Sequence, residues 1–182
     1  MKNIVLLTLL FLFASMGCKA QNENCESGVC GSGSPGSLRL NLELNTFASF
    51  RHKGMTMHGY NFDVGISFHK NLYALGSIEL VSHHLRNDDG KTYFNSTGIS
   101  GGLVYNIIDK TNTTIPLKVK MGGTLGNPDW KYTFYDTSVA LNQRLGKSNF
   151  AGVVGVGYRY EHSRIETMSS HSFVYVFFGI KL

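Results

Sequence analysis

A chain of 182 residues is enough for one domain, and its charged fraction of 16% lies well below the roughly 25% of an ordinary soluble domain. Glycine (21 residues) and aromatic residues (12%) are plentiful, proline is scarce at 3, and the pattern is too strand-rich for an average globular protein. The formal net charge is +5, but its basic residues are scattered along the chain, which excludes a nucleic-acid-binding patch.

The first stretch reads as an export signal. Met1-Lys-Asn is a positive n-region, residues 4–14 are apolar, and Cys18-Lys19-Ala20 offers a small-x-small cleavage site before Gln21. The apolar run is too short for a spanning helix of about 20 residues. Gly17-Cys18 leaves lipid attachment at Cys18 open as a second reading. Removal of residues 1–20 takes Lys2 and Lys19 with it and lowers the formal charge to +3. Residues 21–37 form a leader that contains Cys25 and Cys30 and runs into a Gly/Ser linker, Gly31-Ser-Gly-Ser-Pro-Gly-Ser37. In an exported protein this cysteine pair suits a local disulfide. A lone C-x4-C lacks the further ligands of a zinc site.

From residue 38 the chain alternates with period two. In the first strand, 38–47, Leu38, Leu40, Leu42 and Leu44 face one way, opposite Arg39, Asn41, Glu43 and Asn45. Further strands are expected at 60–68, 72–81, 94–106, 117–125, 132–145, 150–161 and 173–182, with Pro116 tolerable only at a strand start. The last of these carries Val174, Val176, Phe178, Ile180 and Leu182 on one face, and Phe173, Tyr175, Phe177, Gly179 and Lys181 on the other. An apolar edge left open would template aggregation, so this strand is expected to close on the first. The fold class is therefore all-β, an eight-stranded antiparallel up-and-down barrel over 38–182.

Three patterns favour lipid over water as its solvent. Strands of about 9–13 residues match a tilted membrane span and exceed the usual five or six. Joints after even-numbered strands (69–71, 107–114, 146–149) look shorter than those after odd-numbered ones (51–57, 82–93, 126–131, 162–171), as in membrane barrels. Aromatic residues gather near strand ends, namely Phe50, Tyr60, Phe68, Tyr73, Phe94, Tyr105, Trp130, Tyr132, Phe150 and Tyr160, where two interfacial belts would lie. A transmembrane barrel then turns the other faces inward. They supply Arg39, Glu43, Asp63, Glu79, Lys118, Lys120, Asp136, Arg144, Arg159, Glu161 and Lys181. Eight strands leave room for side chains to fill the interior, so this set should pair into a plugged, nearly neutral core. Glycines such as Gly65, Gly101, Gly122, Gly123, Gly155 and Gly157 would make space for the long side chains. A soluble carrier of an apolar ligand, greasy inside and polar outside, is the competing architecture that alternation by itself does not separate.

Catalysis has one foothold. His162 beside Ser163, with Glu161 and Glu166 near, holds the elements of a Ser–His–acid arrangement. Adjacent strand residues face opposite ways, so His162 reaches Ser163 only if the chain turns there; rim and loop residues are the simpler reading. The histidines His52, His58, His69, His83, His84 and His171 show no metal-ligand spacing, and no cofactor or metal is expected.

The leader ending Cys18-Lys-Ala-Gln21 and the segments Tyr60-Asn-Phe-Asp-Val-Gly-Ile66, Trp130-Lys-Tyr-Thr133, Gly155-Val-Gly-Tyr-Arg-Tyr160 and Phe178-Gly-Ile-Lys-Leu182 carry a resemblance. Over residues 38–182 the chain resembles the small OmpA- and OmpX-like outer-membrane barrels of Gram-negative bacteria, in their Bacteroidetes form. The resemblance implies residence in the outer membrane against lipid and lipopolysaccharide, as a monomer. It also implies insertion by the barrel-assembly machinery, which reads a closing strand that usually ends in Phe where this chain has Leu182. Structural, adhesive or stress-related roles are implied, and non-catalytic ones in the main. One branch removes acyl chains from lipid A and is similar in its Tyr-Arg-aromatic-x-His segment, but its pattern wants His-x-Ser, whereas here His162-Ser163-Arg164 follows and no acid comes after Glu166.

Overall fold

The computed structural model describes residues 39–87, 90–146, 150–166 and 168–182. The expected signal segment, the Cys18 site, the leader and the Cys25/Cys30 pair lie outside the described residues. Eight strands follow in order: β1 (Leu40–Ser49), β2 (Met55–His69), β3 (Leu72–Asn87), β4 (Gly90–Asp109), β5 (Thr113–Leu125), β6 (Tyr132–Arg144), β7 (Ala151–Ser163) and β8 (His171–Lys181). Each pairs antiparallel with its neighbours, and β1 pairs with β8 from Glu43↔Lys181 to Ser49↔Tyr175, closing the barrel. The closing strand therefore has no free edge.

The even strand number puts the start of β1 and the finish of β8 at one end, called here the near end, with the joints 70–71, 110–112 and 145–150. The far end carries 50–54, 88–89, 126–131 and 164–170. The expected contrast in joint length is only partly present, because β2, β3 and β4 run on where loops 51–57 and 82–93 were expected. β2 starts at Met55, and β3 and β4 stay paired as far as Asn87↔Gly90. Met55, Met57, Val81 and His83 continue the inward parity and are buried. The outward positions beside them, His58, Ser82, His84 and Arg86, are polar, so that stretch lacks the apolar alternation that marks a strand within lipid.

The two faces sort cleanly. Inside, Glu43, Asp63, Glu79, Lys118, Lys120, Asp136, Arg159 and Glu161 are all buried. Outside, large apolar side chains are exposed around the whole circumference, among them Leu44, Ile66, Ile78, Leu103, Val119, Leu141, Val156, Val174 and Phe178. Among the described residues, no Asp, Glu, Lys or Arg occupies an outward strand position until Arg86 near the far tip. A soluble monomer rarely exposes an apolar patch above about 300–600 Å², and a continuous girdle of this kind belongs in hydrocarbon. The architecture is that of a transmembrane barrel. It is the reverse of a soluble carrier, which would need the charges outside and an apolar cavity within.

Six of the ten expected belt aromatics are exposed: Phe50, Tyr60 and Tyr160 towards the far end, and Phe68, Tyr105 and Phe150 beside the near-end joints. The other four are corrections. Tyr73, Trp130 and Tyr132 are buried inside, and Phe94 packs against the far-end core. Tyr73 and Tyr132 share parity with Glu79 and Asp136, which assigns them to the interior, whereas proximity to a strand end does not distinguish the two faces. Their polar tips are served within the barrel: Tyr132 Oη lies 2.9 Å from Ser96 Oγ, and Trp130 Nε1 donates to Ser163 Oγ at 3.2 Å.

Candidate functional site

The lumen is layered from near end to far end. Near the termini of the barrel, Lys118 donates to Glu43 and, at 3.1 Å, to Asp63, while Lys120 lies 3.8 Å from the other Asp63 oxygen. Asn45 and Asn61 donate to Glu43 (2.8 Å) and Asp63 (3.0 Å). Register makes this cluster, since Glu43↔Asp63 and Asn45↔Asn61 are direct cross-strand partners on the inward face.

One level up stands Arg159, 2% exposed. Its Nη1 and Nη2 grip the two oxygens of Glu79 at 3.1 and 2.8 Å, and its Nε donates to Asp136 at 2.8 Å. Tyr175 Oη donates to the second Asp136 oxygen at 2.8 Å. The guanidinium also lies 4.3 Å from the centroid of the Phe134 ring and 5.4 Å from that of Phe47. The fork geometry suits two carboxylates at once, which a lysine cannot match. Room for these groups comes from glycine: a Cβ on Gly157 or Gly155 would run into the rings of Tyr175 or Phe177, their register partners on β8. A Cβ on Gly65 or Gly101 would meet only ordinary contacts.

Above Arg159 an apolar plug closes the lumen. Met55, Met57, Trp130, Phe134 and Phe173 are almost completely buried there. Within it His83, fully buried, places Nε2 3.0 Å from Glu161, under the edges of Trp130 (4.8 Å) and Tyr132 (5.4 Å). Sequence reasoning left His83 in a loop. The signal that could have found it is the unbroken inward parity Glu79, Val81, His83. The lumen cavities among the charged residues measure only about 20 and 10 Å³, about one water each. The arrangement fills the described part of the barrel.

Two expected members of the charge network stand apart from it. Arg39 and Arg144 keep inward parity but are exposed at the near rim, where the barrel has ended. Lys181 is half-buried there and lines a cavity with Glu43 and Lys118.

The structure does not bring His162, Ser163 and Glu166 together. Ser163 Oγ receives the Trp130 N–H and donates to the Ile165 carbonyl at 2.9 Å. His162 points outward and lies 3.3 Å from Ser170 Oγ, and Glu166 is exposed in the following turn. Opposite facing of adjacent strand residues decides this.

At the far end β2, β3 and β4 outlast their neighbours. The last β4–β5 pair is Thr97↔Leu125, so residues 90–96 of β4 pair with β3 alone, and no described strand lies on their other side. Beside this ribbon runs an outer groove of about 520 Å³, lined by His58, Tyr60, Leu80, Asn95, Thr97 and Asn127 among others.

No family model matches the sequence, and no curated protein is similar to it. Among solved structures the chain is similar to the Yersinia pestis outer membrane protein Ail in a phospholipid bilayer nanodisc, at 15% identity and a TM-score of 0.46, covering 79% of this chain and 99% of Ail's. Ail in complex with the heparin analogue sucrose octasulfate gives 13% identity and a TM-score of 0.46, with 79% and 98% covered. Acinetobacter baumannii OccAB3 is far less similar, with a TM-score of 0.18 at 13% identity, covering 74% of this chain and 54% of that one.

Proposed function

We propose that this chain is a non-catalytic surface-interaction barrel of a Gram-negative outer membrane, with the near end in the periplasm and the β2–β3–β4 ribbon projecting outward. The observation that carries it is the free edge of β4 on a ribbon standing beyond the apolar girdle. Along residues 92–96 the N–H and C=O groups that face away from β3 meet no described strand and offer hydrogen bonds to an added one, and pockets between alternate side chains offer selectivity. The partner is accordingly an extended polypeptide segment. Lipid and lipopolysaccharide cover the girdle, the assembly machinery meets β8 during insertion, and the barrel works as a monomer because β1 and β8 close it on itself within the girdle. The sealed lumen supports a structural plug in place of transport.

The test is expression of the full chain in a Gram-negative host, followed by trypsin on intact cells. Cleavage at far-end sites such as Arg51, Lys53, Arg86 and Arg164, read by mass spectrometry, with the near-end Lys70, Lys110 and Arg144 spared, is the expected result. Cleavage there only after the outer membrane is opened would reverse the orientation, and recovery of the protein in the soluble fraction would overturn the membrane reading. The lipid A profile of the same cells is expected to stay unchanged; loss of an acyl chain would make the protein a hydrolase instead.

A further inference from the structure

On the outward face of the ribbon, beyond Tyr60, two imidazoles meet. The register sets His58 opposite Ser82 and His84 opposite Thr56, one diagonal step apart on neighbouring strands. Side chains at such positions reach each other when they are long or aromatic. The rings do so here, with centroids 4.6 Å apart at 83°. Tyr93, the register partner of His84 on β4, extends the row at 4.4 Å and is exposed. His58 opens onto the outer groove, where Ser82 and Asn95 place oxygen donors.

We propose that His58 and His84 form a binding site for a divalent transition-metal ion of the Zn²⁺, Ni²⁺ or Cu²⁺ kind. Imidazole is the ligand these ions share. Two imidazoles bonded through ring nitrogens to one ion at about 2.0–2.1 Å stand with centroids about 4.5–5.2 Å apart for N–metal–N angles of about 90–110°. The observed 4.6 Å lies at the lower end of that interval, so the rings need to turn out of their edge-to-face contact but not to move apart by more than about 0.6 Å. Water or the Tyr93 hydroxyl completes the coordination. Arg86, two residues beyond His84 on the same face, is exposed and opposes the ion only through solvent. The ion would tie β2, β3 and β4 together below the free edge, and this holds whatever the edge receives.

The experiment uses the full chain without a histidine tag, in detergent micelles at neutral pH, with Cys18, Cys25 and Cys30 alkylated so that no thiol competes. Titration with Zn²⁺, followed by calorimetry and by histidine ring resonances, should show one equivalent bound with shifts at His58 and His84. The variants H58Q and H84Q should each weaken binding at least about tenfold, as loss of a ligand costs no less than loss of its supporting shell. H69Q and H162Q should bind as the parent does. R86E should bind more tightly, by removing the nearest cation. Heat-modifiable gel mobility shows that each variant still folds. Binding unchanged in folded H58Q and H84Q, or ring resonances that ignore Zn²⁺, would overturn the site and leave a packed aromatic row.

Discussion

Arg159 bonds Glu79 and Asp136 at once, through three of its nitrogens. Replacing it with Met leaves Glu79 and Asp136 charged and unpaired, which typically costs about 3–5 kcal/mol. Urea unfolding in micelles, followed by the fluorescence of Trp130, the single tryptophan, should register that loss. Arg159→Lys should recover only part of it, because an ammonium cannot grip Glu79 through two nitrogens. Gly157 makes the complementary point about space. Its missing side chain is where the Tyr175 ring sits, and Tyr175 in turn orients Asp136. Gly157→Val should cost about 1–3 kcal/mol through overpacking, while Gly76→Ala, where a Cβ meets nothing within 4 Å, should change the same midpoint little. Equal costs at the two glycines would remove the steric account.

At the scale of the strand, the period of two carries both solvents at once. Each of the eight elements offers one row to the lumen and one to hydrocarbon, so exchanging a single residue between rows has a predictable sign. Val156 lies on β7 with its side chain outward and half exposed, flanked by Val139 and Val176. Val156→Lys should destabilise the inserted barrel by about 2–4 kcal/mol, the cost of a lysine near the bilayer midplane. Arg144→Ala, at the exposed near rim, should cost little. Refolding into phospholipid vesicles at graded urea concentrations measures both, and a harmless Val156→Lys would mean that this face is wet. The elements that defied their expected limits are β2, β3 and β4. Their far halves leave the lipid: the outward row turns polar while the inward row carries the apolar Met55, Met57 and Val81, so the apolar-out, polar-in alternation that identifies a lipid-spanning strand disappears, although hydrogen bonding to the neighbour continues. What reads as a polar loop over 82–93 is a paired ribbon for this reason.

At the scale of the whole molecule, closure and plugging act together. The barrel has no free edge within the girdle, and its lumen is filled by ion pairs below and by aromatic and methionine side chains above. Reconstituted in planar bilayers, the protein should show no steady conductance steps at neutral pH, and unheated samples should migrate differently from boiled ones on gels. Sustained channel activity would contradict the packing of Met55, Phe134 and Phe173 across the far end.

The sequence by itself determined the strand count and the two faces of each strand, because period-two alternation depends only on local geometry and on a solvent difference across the sheet. It did not determine which inward charges meet. Arg159 with Glu79 and Asp136, or Lys118 with Glu43 and Asp63, are pairings between residues 23 to 80 positions apart, and register and closure alone bring them together. Nor did it separate Trp130 and Tyr132, inside the plug, from Tyr60 and Phe68 on the girdle, since all four lie close to strand ends. The same limit applies to His162 and Ser163, neighbours in sequence that the strand turns away from each other, and to His58 and His84, distant in sequence yet brought into contact by one diagonal step of register.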